Sequence, residues 1–426
     1  MSGIGYALVF GTLALVVARV PLALALGLSS ALALYLAHID IVVLAQRFIA
    51  STQSFSLLAI PFFVLAGDLM TKGGISRRLV NVADVLVRHR TGGLGMVMVL
   101  AAAFFAAISG SAPATTAAIG TIMIPEMEKR GYSRAFAAAL AVSGGIIGPL
   151  IPPSIPLVIW GVMSEQSISR LFMAGVVPGV LLAAGLMVIS WFHARRNAIP
   201  VQARASWRER RAAINEGKWA LLGPVFVLGG IYGGIVTPTE AAVVAVVFAL
   251  FVGRFAYREL TLTSIITVSR VSVRTMTMVM FIIAAANGFG WLIAFEQLPA
   301  KLTGALSQFA NHPVIYILML NLVLLVIGCL MDNLAAMIIL SSLLIPIGNQ
   351  LGIDPIQFGA MVTINFTIGM ATPPFGYALF VGAAISKQPI GAISRAMLPM
   401  LGVMALVLLA TAFVPPVTLF LQSILH

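Results

Sequence analysis

Side chains that carry oxygen are concentrated in two short segments of an otherwise apolar chain. The first segment reads Ser109-Gly110-Ser111-Ala112-Pro113-Ala114-Thr115-Thr116, and the second contains Asp332 and Asn333. Hydroxyls, carboxylates and exposed carbonyls are hard ligands, which suit Na⁺ better than zinc or copper. A helix that begins after the first segment would also present free N–H groups and its positive dipole end to an anion. The two segments therefore predict an ion site and a site for an anionic substrate.

Asp332 is the only carboxylate that we place deep in the membrane, where a charged side chain is a functional candidate by default. It also fits the N-cap of the helix that follows, and the two roles can coexist. For Ser109 and Ser111 the alternative is hydroxyl capping of a buried turn. Glu240 is interpreted as structural, because Thr237-Pro238-Thr239-Glu240 has the form of a capping box.

Two double-proline segments interrupt apolar stretches. They are Gly148-Pro149-Leu150-Ile151-Pro152-Pro153-Ser154 and Gly369-Met370-Ala371-Thr372-Pro373-Pro374-Phe375. Adjacent prolines remove backbone donors and clash with the preceding turn, so each helix must open there. Lipid offers the freed carbonyls no partner, whereas a cation, water or a neighbouring helix would satisfy them. Asn365, Thr367 and Thr372 add polar side chains to the second broken helix.

The composition requires a membrane around these segments. Charged residues make up 9% of the 426 residues, against roughly 25% in a typical soluble domain. Residues of the AVILMFWYC set make up 60%, and the mean hydropathy is +1.07. These values exclude a soluble enzyme, a disordered chain and a disulfide scaffold. The single cysteine, Cys329, is interpreted as a packing residue.

Most apolar stretches are long enough to span a bilayer, but two pairs contain stretches that are too short. They are 93–108 with 114–127, and 313–329 with 334–347. Fourteen residues of helix reach ~21 Å, whereas the hydrocarbon core is ~30 Å thick. We therefore predict two re-entrant hairpins and ten full spans. The first stretch, 4–18, lacks a basic n-region and is interpreted as a retained helix.

The basic residues indicate the orientation of the chain. With the N-terminus outside, all but three of the 25 Lys and Arg residues fall inside. The exceptions are Arg47, Arg170 and Lys301. By the positive-inside rule, the net charge of +12 is a topology signal and not a sign of nucleic-acid binding. The stretch Lys72–Arg90 is interpreted as an amphipathic helix on the inner surface, with a solvated loop as the alternative.

An internal repeat relates the two halves. At a constant offset of 221 residues, glycines and prolines coincide, among them Gly148 with Gly369, Pro152 with Pro373, Pro153 with Pro374 and Pro178 with Pro399. The alternative is that membrane helices are merely rich in these residues. In the predicted topology the repeats are inverted. Inverted repeats with interrupted helices are typical of secondary transporters, which bind substrate and ions near the midplane at those breaks.

The predicted fold is an all-α polytopic membrane protein in which each inverted repeat contains a re-entrant hairpin and a broken helix. Residues 1–54 are assigned to N-terminal scaffold helices, 195–218 to a basic cytoplasmic loop and 219–275 to central scaffold helices. The first repeat is 55–194, with its hairpin at about 92–128 and its broken helix at 134–164. The second is 276–426, with its hairpin at about 312–348 and its broken helix at 356–386.

Motifs along essentially the whole chain resemble the large membrane subunit of TRAP transporters (tripartite ATP-independent periplasmic transporters). The motifs are Ile60-Pro61-Phe62-Phe63-Val64-Leu65-Ala66-Gly67, Phe104-Phe105-Ala106-Ala107-Ile108-Ser109-Gly110-Ser111-Ala112-Pro113-Ala114-Thr115, Pro149-Leu150-Ile151-Pro152-Pro153-Ser154, Leu171-Phe172-Met173-Ala174-Gly175-Val176-Val177-Pro178-Gly179, Gly230-Ile231-Tyr232-Gly233-Gly234-Ile235-Val236-Thr237-Pro238-Thr239-Glu240-Ala241-Ala242 and Ala371-Thr372-Pro373-Pro374-Phe375-Gly376. These motifs occur along the chain in the same order as in the family.

The resemblance implies a Na⁺-coupled importer of small organic anions in the bacterial inner membrane, working by an elevator mechanism. It implies two partners, a small four-helix membrane subunit and a periplasmic substrate-binding protein. The chain begins at the large subunit's first helix, so we expect the small subunit to be a separate chain. No enzymatic activity is implied, and Na⁺ is the expected coupling ion.

The resemblance also implies three sets of site residues. The first Na⁺ site is assigned to Ser109, Ser111, Gly148, Ile151 and Pro153, several of them through carbonyls. The second Na⁺ site is assigned to Gly328, Asp332, Thr367, Met370 and Thr372. Substrate contacts are expected from Ser111, Thr115, Ser154, Asn333 and Asn365.

Three other functions are considered. A stand-alone Na⁺-coupled anion transporter of related architecture is the alternative in the same class. An intramembrane hydrolase would need HExxH or paired Asp residues, neither of which the sequence offers. A channel is disfavoured by the broken helices and inverted repeats. In dicarboxylate members of the family, Glu-Pro often follows the Met of the second tip. Here Met331 is followed by Asp332 and Asn333, which weakens a default assignment to C4-dicarboxylates.

Overall fold

The computed structural model describes residues 3–298 and 312–425, which form helices joined by turns, with no β-strand within those ranges. The prediction of an all-helical chain is confirmed. Lys301, one of the three basic residues predicted to lie outside, falls outside the described residues.

The N-terminal part consists of α1 (Gly3–Val17), α2 (Leu22–Leu36) and α3 (Val42–Thr52). The helices α1 and α2 pack against each other, and the hydroxyls of Thr12 and Ser29 lie 2.6 Å apart between them. Each has 15 residues, which corresponds to about 22 Å. The described part of each helix is therefore shorter than the ~30 Å hydrocarbon core that a full span must cross.

The first half continues with a 3₁₀ turn (Phe55–Leu58) and seven helices. They are α4 (Ala59–Lys72), α5 (Ile75–Val87), α6 (Gly93–Ser109), α7 (Ala112–Lys129), α8 (Arg134–Gly145), α9 (Ile155–Met163) and α10 (Ile168–Arg196). The predicted hairpin corresponds to α6 and α7, and the predicted broken helix to α8 and α9.

The predicted amphipathic segment is a helix, α5, and not a solvated loop. Its apolar face buries Ile75, Leu79 and Val82, and it packs against α6 and against α11 (Trp207–Tyr232). Asp68 lies in the last part of α4. Its carboxylate accepts a hydrogen bond of 2.7 Å from the hydroxyl of Ser272 on α13 (Leu262–Phe295).

The middle of the chain corrects the prediction of a basic loop at 195–218. The helix α10 extends to Arg196 and α11 begins at Trp207, so only 197–206 connect them. The physical reason is a capping box: Ser206 Oγ accepts from the amide of Glu209 at 3.2 Å, and the Glu209 carboxylate accepts from the amide of Ser206 at 2.6 Å. This cap starts the helix well before its apolar part.

Two further helices complete the middle of the chain. They are α12 (Pro238–Phe251), which ends in a π turn (Val252–Ala256), and α13. The predicted capping box before α12 is confirmed, because Thr237 and Glu240 make its reciprocal bonds. The helix α13 is continuous for 34 residues and crosses position 275, where the sequence placed a boundary.

The second half repeats this succession of elements. It contains α14 (Pro313–Leu330), α15 (Asn333–Gln350), α16 (Pro355–Gly369), α17 (Tyr377–Ser386), α18 (Ile390–Phe413) and α19 (Pro416–Leu425). Adding 221 to both ends of α7 gives the ends of α15. The breaks also correspond, since each contains a cis bond between its paired prolines, Pro152–Pro153 and Pro373–Pro374.

Seven helices in the described part of the chain are long and apolar enough to cross a membrane. Two of them, α14 and α15, are the arms of the second predicted hairpin. The hairpin arms have 17 or 18 residues each and are longer than the apolar stretches on which the sequence argument relied. Length alone therefore does not separate a hairpin from two crossings, and the position of the tips is the more informative feature.

Candidate ion and substrate site

The tip of the first hairpin is a tight turn between two helices. The helix α6 ends at Ser109, Gly110 has a left-handed backbone with φ +61°, and α7 begins at Ala112. The hydroxyls of Ser109 and Thr115 lie 2.9 Å apart, and the Thr115 hydroxyl also donates to the carbonyl of Ser111 at 2.8 Å. Ser111 is the N-cap residue of α7, but its hydroxyl makes no capping bond.

The first broken helix lies directly against this tip. A Cβ atom added to Gly148 would be 2.8 Å from the carbonyl oxygen of Ser111 and 2.9 Å from the Thr115 hydroxyl. A Cβ atom on Gly110 would overlap the carbonyl of Pro153. The structure thus brings together four of the five residues assigned to the first Na⁺ site, Ser109, Ser111, Gly148 and Pro153. The fifth, Ile151, packs its side chain on Gly179 of α10.

The tip of the second hairpin uses a carboxylate where the first has a serine. Asp332 is the N-cap residue of α15, and its Oδ2 accepts from the amide of Leu334 at 3.1 Å. The capping interpretation is therefore confirmed. The neighbouring Asn333 donates from Nδ2 to the hydroxyl of Thr367 on α16 at 3.4 Å, which ties the tip to the second broken helix.

The second broken helix contacts the end of α14. A Cβ atom on Gly328 would be 3.2 Å from the carbonyl oxygen of Phe366 and 3.1 Å from its Cα. The thiol of Cys329 lies 3.1 Å from the carbonyl oxygen of Thr372. The Met370 carbonyl accepts from the amide of Ala378 at 2.9 Å, and the Thr372 hydroxyl donates to Ile368. The residues assigned to the second Na⁺ site therefore gather around one break, with several oxygens already hydrogen-bonded.

Both tips and both breaks meet at one small cavity of about 50 Å³. Ser111 and Asp332, which come from different halves of the chain, both line it. So do the first residues of three helices, α7, α9 and α15. The complete lining is Gly110, Ser111, Ala112, Pro113, Pro149, Ile155, Pro156, Asp332, Asn333, Leu334 and Met370.

Three of the five expected substrate contacts do not line this cavity. Thr115 is buried behind the first tip. Ser154 is fully buried, where it donates to the carbonyl of Pro149 and caps α9 through the amide of Leu157 at 3.3 Å. Asn365 is fully buried in α16 and donates to the side-chain oxygen of Asn321 at 2.8 Å. Only Ser111 and Asn333 face the cavity.

One contribution to the site was not predicted from the sequence. The N-terminus of α9, at Ile155 and Pro156, lines the cavity, and its signal was a capping serine followed by proline near the first helical position. In the described part of the chain no cluster of three or more His, Cys, Asp or Glu residues could hold a metal, so the available ligands are hydroxyl, carbonyl and single carboxylate oxygens.

The arrangement of apolar helices around paired tips and breaks is that of a membrane transporter. The structure superposes on the YdaH transporter of Alcanivorax borkumensis with a TM-score of 0.60 at 18% identity, covering 88% of each chain. This likeness shows the fold alone.

The sequence comparisons then show the family. The family model of the tripartite ATP-independent periplasmic transporter, DctM component, matches residues 9–417. The chain belongs to this family of large TRAP permeases, and it is a multi-pass inner-membrane transport protein and not an enzyme.

Two relatives illustrate the range of this family. The C4-dicarboxylate TRAP transporter large permease protein DctM of Pseudomonas aeruginosa is 42% identical over 399 residues, which are 93% of each chain. The isethionate TRAP transporter permease protein DctMQ of Oleidesulfovibrio alaskensis is 41% identical over 414 residues. The match covers 96% of this chain but only 65% of that longer relative.

Proposed function

We propose that this chain is the membrane subunit through which a small organic anion is imported together with Na⁺. The observation that carries the proposal is the convergence of three helix N-termini, those of α7, α9 and α15, on the cavity that Ser111 and Asp332 also line. Helix N-termini favour an anion through their free N–H groups and dipoles. Hydroxyl, carboxylate and carbonyl oxygens favour a hard cation such as Na⁺.

The nature of the anion is supported by the relatives. One is named for isethionate and another for C4-dicarboxylates, so a small carboxylate or sulfonate is the substrate class that we propose. The cavity of about 50 Å³ is far smaller than the roughly 300 Å³ or more of a typical small-molecule site. In this arrangement it accommodates an ion or water, and we expect the two tips to separate when the anion binds.

The coupling ions are proposed to bind one at each break. Ser109, Ser111, Gly148, Ile151 and Pro153 would form the first site, and Gly328, Asp332, Thr367, Met370 and Thr372 the second. The two sites share the cavity wall through Ser111, Asp332 and Met370. Binding of Na⁺ beside the anion would offset its charge, which gives a physical reason for coupled transport.

The partners are proposed from the tripartite nature of the family. A periplasmic substrate-binding protein would deliver the anion, and a small four-helix membrane subunit would complete the membrane complex. We further propose an elevator mechanism, in which the hairpins and broken helices move together against α1 to α3 and α11 to α13.

The test is transport by the complete complex in liposomes. The anion is first chosen as the one, among C4-dicarboxylates and isethionate, that stabilises the co-encoded binding protein against heating. We expect uptake that requires an inward Na⁺ gradient, with an equal K⁺ gradient as the control. Uptake that persists without Na⁺ would contradict the coupling. Uptake that persists without the binding protein would favour a stand-alone transporter.

The elevator step has its own test. Cys329 is the single cysteine of the chain, so a Cys329→Ala background carries no other thiol. A cysteine introduced at Ala114, which is partly exposed beside the first tip and belongs to neither assigned site, should react with a membrane-impermeant maleimide from one face only, and the reactive face should change with Na⁺ and substrate. Labelling that is independent of both would argue against movement of the tip across the membrane.

A further inference from the structure

A strongly basic surface lies where α5 ends and α11 begins, and none of its residues lines the tip cavity. We call it the α11 basic patch; its residues are Arg90, Arg204, Arg208, Arg210, Arg211 and Lys218. Arg88 holds the connecting segment in place, because it donates to the carbonyl of Ala203 at 3.1 Å and pairs with Glu209 at 3.3 Å. The segment that connects α10 to α11 is therefore held against the end of α5 by these contacts.

One face of α11 carries the positive charge of the patch. At about 100° per residue, Trp207, Arg211, Ile214 and Lys218 fall on the same face of the helix, and Arg208 and Arg210 flank it. Together with Ala212 and Asn215, these residues line an open depression of about 850 Å³.

The acidic residues of α11 face the other way. Glu209 and Glu216 lie on the side opposite Trp207, and Glu209 is occupied by Arg88 and by its capping bonds. Gly217, which lies on the same side of the helix as Arg210, packs against Val82 of α5. Among the described residues, Arg208, Arg210 and Arg211 have no carboxylate within ion-pair distance. The depression thus presents cations whose charge the protein does not neutralise.

Two side-chain nitrogens without hydrogen-bond partners are a second observation at this patch. Arg210 Nε and His89 Nδ1 are shielded from solvent and have no hydrogen-bond partner in the described part of the chain. Burial and the positive charges of Arg204, Arg90 and Arg210 lower the pKa of His89, which indicates how closely these groups are crowded. A buried polar group without a partner is costly, so a bound acceptor would stabilise this arrangement.

The neighbouring apolar side chains indicate which anion fits. Trp207 is 81% exposed and Ile214 is 44% exposed, and from Trp219 onward α11 is apolar. Exposed tryptophan beside arginines, followed by an apolar stretch of the same helix, is typical of the membrane interface, at the level of lipid headgroups. A free inorganic anion would use the arginines but not the exposed tryptophan and isoleucine.

We propose that the α11 basic patch binds an anionic phospholipid. The headgroup phosphate lies among Arg208, Arg210 and Arg211, and an acyl chain follows the apolar continuation of α11. Arginine suits this ligand because its planar guanidinium pairs with phosphate through two parallel hydrogen bonds. This inference is independent of Na⁺ coupling and of the transported anion.

The test is a lipid titration of the purified full-length chain by native mass spectrometry. The probes are phosphatidylglycerol and cardiolipin, with phosphatidylcholine as the neutral control. We expect the triple variant R208Q/R210Q/R211Q to bind the anionic lipids at least about tenfold more weakly than the wild type. The matched control R19Q/R270Q/R274Q removes the same charge from exposed positions elsewhere and should bind within about twofold of the wild type.

Three outcomes would overturn the proposal: equal binding by the triple variant and the wild type, equal loss in the control variant, or equal binding of phosphatidylcholine. Displacement of the lipid by millimolar inorganic phosphate would show a free-anion site instead. Because Arg208 is exposed, Arg208→Gln should fold as the wild type does and lose about fivefold in affinity. This single variant decides the question if the triple variant is unstable.

Discussion

The two hairpins occupy corresponding positions in the two halves of the chain but are packed differently. In the first hairpin, Phe105 of α6 is fully buried. At the corresponding position of the second hairpin, Val326 of α14 is 53% exposed. Only 22% of the apolar stretch of α14 is buried within the chain. An apolar crevice of about 190 Å³ separates α14 from α15. The first hairpin is thus enclosed by protein, whereas the second presents one arm outward.

The tips of the two hairpins are also held by different interactions. The first turns through a left-handed glycine, Gly110, against the carbonyl of Pro153, and its hydroxyls bond to one another. The second has Met331 with an extended backbone and a carboxylate cap, Asp332. Backbone fit therefore holds the first tip and side-chain capping holds the second. We expect the second hairpin to be the more readily displaced, and the variants below test this contrast in order of expected effect.

The largest effect is expected for Gly110→Ala. A left-handed backbone costs a non-glycine residue about 1–2 kcal/mol, and overlap of the new methyl group with the Pro153 carbonyl adds about 1–3 kcal/mol. We expect stability to fall by up to about 5 kcal/mol and transport to be lost. Thermal unfolding in detergent and uptake in liposomes measure the two effects.

The control for this change is the corresponding residue of the other tip. Met331→Ala alters an extended, partly exposed position, so it should retain most of the stability. Equal losses at both positions would contradict the view that only the first tip depends on backbone fit.

A smaller loss of stability is expected from truncating a buried side chain of α6 in the first hairpin. Phe105→Ala should cost about 3 kcal/mol, because a cavity remains in a buried environment. Val326→Ala should cost less than about 1 kcal/mol, since its side chain is half exposed. Chemical unfolding of both variants measures the difference. Similar losses would mean that partner or lipid contacts bury α14 as fully as the protein buries α6.

Two variants of Asp332 distinguish its role as a helix cap from its proposed role in ion binding. Asp332→Ala should lower stability by about 1 kcal/mol because the cap of α15 is lost. Asp332→Asn keeps an effective capping oxygen but removes the charge, so stability should be retained while more Na⁺ is needed for half-maximal transport. If the asparagine variant shows wild-type Na⁺ dependence, Asp332 is only a cap.

The smallest effect on stability is expected for Ser111→Ala, which removes a hydroxyl without a capping bond. Stability should change by less than about 0.5 kcal/mol, yet Na⁺ dependence should weaken. Ser133→Ala provides the opposite case, because Ser133 caps α8 through the amide of Phe136 at 3.2 Å. It should cost about 1 kcal/mol and leave the Na⁺ dependence unchanged. Unaltered Na⁺ dependence in Ser111→Ala would show that the first ion site is wrongly assigned.

Much of the fold could be predicted because its signals are local. The hairpin ends, the two breaks and the cap at Glu240 follow from proline, glycine and capping residues, each of which acts on its own turn of the backbone. The early start of α11 was not predicted, because the high density of Arg is typical of a cytoplasmic loop and masks the capping box formed by Ser206 and Glu209. The length of the hairpin arms was underestimated because helices continue beyond their apolar residues where their hydrogen bonds are intact.

The sequence by itself determined the class of protein, the positions of the hairpins and breaks and the set of oxygen-bearing residues, since composition and short motifs carry this information. Only the tertiary structure decided which of those residues meet. It placed Ser111 beside Asp332, directed the N-terminus of α9 at the same cavity and turned Ser154 and Asn365 away from it. The physical reason is that these contacts join segments far apart in the chain. They depend on close packing at glycines such as Gly148, Gly328 and Gly369, and no local pattern specifies that packing.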